Sequence, residues 1–219
     1  MIEFYSGFIS GIAQTIIGYP FDTIIVYKQT GQNINKIKFK YIYKGVKFPL
    51  LSSGLITSLC FGINYNLYEY THNHFISGGI TGLITSIIIS PIELYKIRSQ
   101  KLKHYNINPF IGFKVTASRE FVFSSIYFGL YNILINNNIN MFISGGITGC
   151  LSWIACYPID VIKTRIQSGE CKTINESIKM KNLYMGIPIC LFRGFIVNAI
   201  GFYVYERSKI KIKKLNAWG

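Results

Sequence analysis

Three stretches of this chain carry the same arrangement of ionisable residues after a proline: Pro20-Phe-Asp22, Pro91-Ile-Glu93 and Pro158-Ile-Asp160. Lys96 and Lys163 stand at proline plus five, Arg98 and Arg165 at plus seven, and a glutamine at plus nine every time, Gln29, Gln100 and Gln167. Arg119, with Glu120 beside it, and Arg193 lie in further apolar stretches. A buried carboxylate or ammonium is costly unless paired, so charges at fixed offsets in three related segments predict ion pairs between neighbouring segments, closed into a ring. Such groups hold and release one another, or a charged solute. Enzymatic machinery is not in evidence: His72, His74 and His104 sit near loop ends without ligand spacing, and there is no nucleophile triad or phosphate loop. Cys60, Cys150, Cys156, Cys171 and Cys190 show neither CxxC nor metal-ligand spacing and read as reduced packing residues. Neither an enzyme, a metal site nor a cofactor is expected.

The elements that position these residues repeat. Phe75-Ile-Ser-Gly-Gly-Ile-Thr-Gly82 recurs identically at Phe142 to Gly149, and each copy reaches its proline nine residues after the last glycine. Ser6-Gly-Phe-Ile-Ser-Gly11 is a looser third copy, nine residues before Pro20, so the chain is a threefold tandem repeat of units 1–73, 74–140 and 141–219. Each unit holds two apolar stretches, six in all: approximately Glu3 to Lys28, Tyr43 to His72, Phe75 to Gln100, Phe110 to Asn136, Met141 to Gln167 and Tyr184 to Arg207. Each suffices for a tilted helix to cross roughly 30 Å of hydrocarbon. The glycines permit close helix approach, and Pro20, Pro91 and Pro158 predict inward kinks.

Composition agrees with a membrane. Among 219 residues, 50% are hydrophobic and only 15% charged, while 23 Lys+Arg oppose 9 Asp+Glu. This excludes intrinsic disorder, and the basic residues fall between apolar stretches rather than over a soluble nucleic-acid-binding surface, so no nucleic-acid polymer is expected as a partner. Six spans put both termini on one side. The within-repeat connectors opposite them hold Lys36, Lys38, Lys40, Lys44, Lys47, Lys101, Lys103, Lys114, Lys172, Lys179 and Lys181, which sets orientation. Lys209, Lys211, Lys213 and Lys214 form a basic C-terminal run suited to lipid headgroups, cardiolipin among them. No cleavable targeting segment is visible, so any address is internal.

The proline motifs resemble the signature of the mitochondrial carrier family, Pro-x-Asp/Glu-x-x-Lys/Arg-x-Lys/Arg followed by a bracing glutamine, over nearly the whole chain. The resemblance implies an all-α, six-transmembrane-helix membrane protein of three pseudo-symmetric repeats, a monomer in the mitochondrial inner membrane with termini on the cytosolic side. It implies alternating access, with a matrix gate in which Asp22 pairs with Lys96 and Glu93 with Lys163, braced by the three glutamines. The third pair departs from the pattern, because proline plus five and plus seven in the first repeat are Ile25 and Tyr27. Lys28, one turn on, is the candidate partner for Asp160. The family's cytoplasmic-gate motif is clean only at Tyr205-Glu206 with Lys209, whereas Tyr131-Asn132 lacks the charge. The connectors are also short for the family and leave little room for a matrix helix.

Seven residues after the glycines of Tyr43-Lys-Gly45, Phe110-Ile-Gly112 and Tyr184-Met-Gly186 come Ser52, Arg119 and Arg193, matching the family's three solute-contact points. Adjacent helical residues diverge by about 100°, so Arg119 and Glu120 are expected to offer a carboxylate binder and an ammonium binder to one zwitterion. Within the family this resembles the basic-amino-acid and carnitine/acylcarnitine branch, and an amino-acid-like or carnitine-like solute follows. The alternative is a nucleotide or deoxynucleotide carrier, since a reduced, AT-biased carrier resembles one that a giant virus would encode and Arg119 and Arg193 suit phosphates. A third reading is a non-transporting scaffold derived from a carrier.

Overall fold

The computed structural model describes residues 2–31, 42–101, 108–180 and 182–216. They form six long helices and one short one: α1 (Ile2–Gln29), α2 (Lys47–Thr71), α3 (His74–Gln100), α4 (Phe113–Asn136), α5 (Met141–Gln167), α6 (Ile174–Lys179) and α7 (Ile187–Asn216). At about 1.5 Å per residue the long helices measure roughly 36–45 Å, sufficient for a bilayer core. Of these, α3 and Ile143–Gln167 of α5 are long and apolar enough to qualify as spans by hydropathy alone among the described residues. The connector lysines Lys36, Lys38, Lys40, Lys103 and Lys181 and also His104 lie outside the described residues, as do the side chains of Tyr205, Glu206 and Lys209 on α7.

The distribution of side chains is that of a helix bundle in lipid. Leu83, Ile84, Ile87 and Ile88 on α3, and Ile147, Leu151 and Ile154 on α5, face outward, while Ser77, Thr81, Ser86, Ser144, Thr148 and Ser152 are fully buried. Most of these hydroxyls are satisfied within their own helices, as in Thr81 Oγ1 to Ser77 O at 2.7 Å and Thr148 Oγ1 to Ser144 O at 2.7 Å, while Ser77 Oγ donates across to Asn64 Oδ1 of α2 at 3.0 Å. Small polar residues inside and branched apolar residues outside allow close packing where water gives no driving force between helices.

Packing is extensive between α2 and α3, α3 and α4, α4 and α5, and α7 and α1, and lighter between α1 and α2 and between α5 and α7. The order describes a closed ring of six. The α2–α3 turn is tight because His72 adopts a left-handed conformation, φ 49°, and the Asn73 side chain accepts hydrogen bonds from the amides of Phe75 and Ile76 at the start of α3. Helices α1, α3 and α5 run continuously through Pro20, Pro91 and Pro158.

The even members of the ring start three or four residues later than the apolar pattern suggests. Gly45, Gly112 and Gly186 adopt φ of 91°, 77° and 100°, so Tyr43, Phe110 and Tyr184 lie in a turn before helix begins. Two of these turns are pinned by the residue preceding the proline. Tyr19 donates its hydroxyl to Lys44 O at 2.8 Å and Tyr157 to Met185 O at 3.2 Å, and a Cβ on Gly45 or Gly186 would fall within 2.8 or 2.9 Å of those hydroxyls. The second repeat carries Ser90 there, too short for the same bond. In the third connector α6 is capped by the Thr173 side chain, which accepts from Glu176 N, and tied to α5 by Arg165 Nη1 donating to Ser177 O at 2.7 Å.

Candidate functional site

The C-terminal halves of α1, α3 and α5 converge on a charged network. Lys96 Nζ lies 2.6 Å from Asp22 Oδ2, and Lys163 Nζ pairs with Glu93 Oε2, so each of two links joins one odd helix to the next. The third link, from α5 to α1, has a different chemistry. Gln29 Nε2 donates to Asp160 Oδ2 at 2.8 Å, and the Arg119 Nε of α4 donates to Asp160 Oδ1 at 3.3 Å. Lys28, expected as the partner of Asp160, does not enter the ion pairs of the described residues: its Cβ faces Gly186 at the start of α7. Ile25, where the motif calls for a base, packs with Tyr157, Val161 and Cys190.

Below this layer lies a second one. Arg98 Nε donates to Gln167 O at 2.7 Å, Arg165 Nε to Gln29 O at 2.8 Å, and the Tyr27 hydroxyl to Gln100 O at 3.4 Å. Proline plus seven of each odd helix thus satisfies a carbonyl at the end of the next, where helix geometry leaves carbonyls without partners. The positional rule is legible in the sequence, but Tyr27 breaks it by residue type and was not anticipated as a member. The glutamines divide. Gln29 reaches the ionic layer, whereas Gln100 Nε2 donates to Thr23 Oγ1 and Gln167 Nε2 to Thr116 Oγ1, each at 3.2 Å, so neither braces an ion pair.

The expected solute contacts divide as well. Arg193 pairs with both carboxylate oxygens of Asp22, its Nη2 at 3.4 Å from Oδ2. Arg119 contacts Asp160, Glu93 at 3.9 Å and Glu120. The expected divergence of Arg119 and Glu120 is therefore not found: the arginine side chain is long enough to fold back on its neighbour's carboxylate. The guanidinium also lies 5.7 Å from the ring of Phe123 and 5.1 Å from that of Trp153. Ser52 is not gathered into this group, because its hydroxyl bonds to Phe48 O of its own helix at 2.8 Å.

Asp22, Gln29, Glu93, Lys96, Arg119, Trp153, Asp160, Lys163 and Arg193 line one cavity of about 80 Å³. With Glu120 included, four carboxylates face four cations, so the centre of the bundle is electrically balanced. Trp153 was not anticipated as a lining residue, since one tryptophan in an apolar helix carries no positional signal.

Comparison with known proteins places this architecture. The mitochondrial carrier protein family model matches residues 135–216. The chain is 30% identical to mitochondrial substrate carrier family protein L of Dictyostelium discoideum, covering 93% of each chain. It is 26% identical to the glutamate/glycine mitochondrial carrier ymc1 of Schizosaccharomyces pombe, covering 97% of this chain and 95% of that one. It is also 26% identical to the mitochondrial arginine transporter BAC2 of Arabidopsis thaliana, covering 93% and 89%. The chain belongs to the mitochondrial carrier family, a family of inner-membrane transporters rather than enzymes. The 287-position alignment to the Schizosaccharomyces protein is longer than this 219-residue chain, so gaps fall on this side, in keeping with its short connectors.

Proposed function

We propose that this protein is an alternating-access carrier of an amino-acid-like solute in the mitochondrial inner membrane, built from repeats 1–73, 74–140 and 141–219, with its termini on the cytosolic side. The observation that carries the reading is the balanced network lining the cavity, in which Arg119 and Arg193 both rest on carboxylates. A zwitterion exchanges charge with such a network without leaving any member uncompensated: its carboxylate takes over a guanidinium, and its ammonium takes over the carboxylate released. A polyphosphate brings several negative charges and no cation, and every cation lining the cavity is already paired. Relatives named as carriers of glutamate/glycine, arginine and basic amino acids support the same class. The paired Asp22–Lys96 and Glu93–Lys163 links support closure of the matrix side in this conformation.

The test is thermal stability of the purified protein with basic and neutral amino acids, carnitines, nucleotides and deoxynucleotides, because a ligand of the folded state stabilises it in proportion to occupancy. A saturable rise with arginine, lysine, ornithine, glutamate or glycine is expected. A rise with nucleotides alone would replace the zwitterion reading, and none with any solute would favour a scaffold.

A further inference from the structure

Asp160 is the gate carboxylate whose motif partner is missing, since Ile25 occupies proline plus five of α1. It is nonetheless only 8% exposed, and is held by the neutral Gln29 amide and by Arg119. We infer that Arg119, although on α4 at an expected solute-contact point, is the third cation of the gate, so that its capture of a solute carboxylate and its release of Asp160 are one event. The inference rests on the transport reading and adds to it which link the solute opens.

Arg119 is almost fully buried, and its guanidinium lies against the edge-packed rings of Phe123 and Trp153. A guanidinium has five donor hydrogens in a rigid plane, and here Nε donates to Asp160 and Nη1 to Glu120, while Nη2 stands at ion-pair distance from Glu93. An arriving carboxylate must compete with those already present. If Arg119 turns to the solute, Asp160 keeps the Gln29 amide bond and needs a new counter-charge, which the ammonium of a zwitterion supplies. The other two links differ, because Lys96 and Lys163 reach their acids from the neighbouring odd helix. The gate is therefore asymmetric: the α5–α1 link depends on Arg119, whereas Asp22, which also meets Arg193, and Glu93, which also meets Arg119, each keep a lysine when an arginine turns to the solute. A solute lacking a carboxylate would leave the α5–α1 link closed.

Cys190 offers a native reporter. It is 5% exposed, lines the cavity with Asp160, and packs with Ile25, Tyr157 and Val161 between α1, α5 and α7. The experiment measures alkylation of Cys190 by N-ethylmaleimide in the full chain in proteoliposomes, resolved from the other four cysteines by peptide mass spectrometry. Arg119→Gln is expected to raise the rate at least about tenfold, since losing one buried charge partner costs more than the equivalent of one tenfold step. Adding Ile25→Lys in that background is expected to restore wild-type protection, because the introduced ammonium offers Asp160 a cation from α1, while uptake stays lost. Wild-type protection in Arg119→Gln, or a raised rate that Ile25→Lys does not lower, would overturn the assignment.

Should Arg119→Gln not fold, Ile25→Lys alone decides. Severalfold slower alkylation together with slower uptake is expected, and unchanged alkylation would overturn the assignment. The alkylation needs no solute. Absent amino-acid uptake in the wild type, with the Cys190 pattern as expected, would therefore count against the transport reading and leave Arg119 as the gate cation.

Discussion

The identical octapeptides ending at Gly82 and Gly149 provide a matched perturbation. A Cβ on Gly82 would lie 2.3 Å from the backbone oxygen of Glu120 and 2.6 Å from its carbonyl carbon, whereas no atom of the described residues comes within 4 Å of one on Gly149. Ordinary contact begins at about 3.5 Å, so Gly82→Ala must push α3 about 1 Å away from α4. Overpacking of that kind costs about 1–3 kcal/mol, against a gain of about 0.5–1 kcal/mol from replacing a helical glycine by alanine. The net is a loss of about 0.5–2 kcal/mol at Gly82, and a gain of about 0.5–1 kcal/mol at Gly149, where a Cβ meets none of the described residues. For a chain of this size these correspond to a melting temperature lower by about 1–8 °C and higher by about 1–4 °C. Thermal unfolding of the two purified variants beside the wild type is the assay. Equal shifts, or a larger loss at Gly149, would refute the asymmetric packing of the two repeats. Because Glu120 is the group approached, Gly82→Ala is also expected to reduce uptake more than its stability loss explains.

Ser52→Ala is expected to leave the KM for uptake within about twofold of wild type, since the hydroxyl is spent on Phe48 O; a tenfold rise would return Ser52 to the site. Exchanging charges in Asp22→Lys with Lys96→Asp is expected not to rescue either single variant, because Asp22 also serves Arg193 and the reversed pair sets two cations side by side. Recovered uptake in the double variant would show the Asp22–Arg193 contact to be dispensable. In the third connector, the Lys172 amide donates to Glu176 and holds that carboxyl below its ordinary value of 4.5. Its folded value being depressed, the cap is complete above pH 4.5 and is lost as pH falls through the lowered value. The protection factor of the Lys172 amide, taken against intrinsic exchange at each pH, is expected to fall over that range in the wild type, and Glu176→Gln to abolish that fall.

Much of this arrangement is legible in the sequence because it is periodic. Offsets from Pro20, Pro91 and Pro158 anticipate ion pairs between the odd helices, and the Asp22–Lys96 and Glu93–Lys163 contacts join the residues that the family resemblance pairs. What escaped is what breaks the period. The partner of Asp160 lies 41 residues away on α4, and no local spacing distinguishes Arg119 from Lys28 as the cation that reaches it. The fold-back of Arg119 onto Glu120 depends on side-chain length and burial, which the 100° helical increment does not convey. The late starts of α2, α4 and α7 follow from positive-φ glycines inside apolar runs, where hydropathy sees no boundary. Identical glycines in α3 and α5 meet different surroundings because their neighbours, not their own sequence, differ.

The central claim is that the paired residues lining the cavity serve the movement of an amino-acid-like solute. Its most direct test is counter-exchange in proteoliposomes loaded with unlabelled arginine, lysine, glutamate or glycine, following entry of the labelled solute in the wild type and in Arg119→Gln. Saturable exchange of at least one of these in the wild type, absent in a folded Arg119→Gln protein, is the predicted result. Exchange of nucleotides but of no amino acid, or amino-acid exchange that survives Arg119→Gln with unchanged KM, would contradict it.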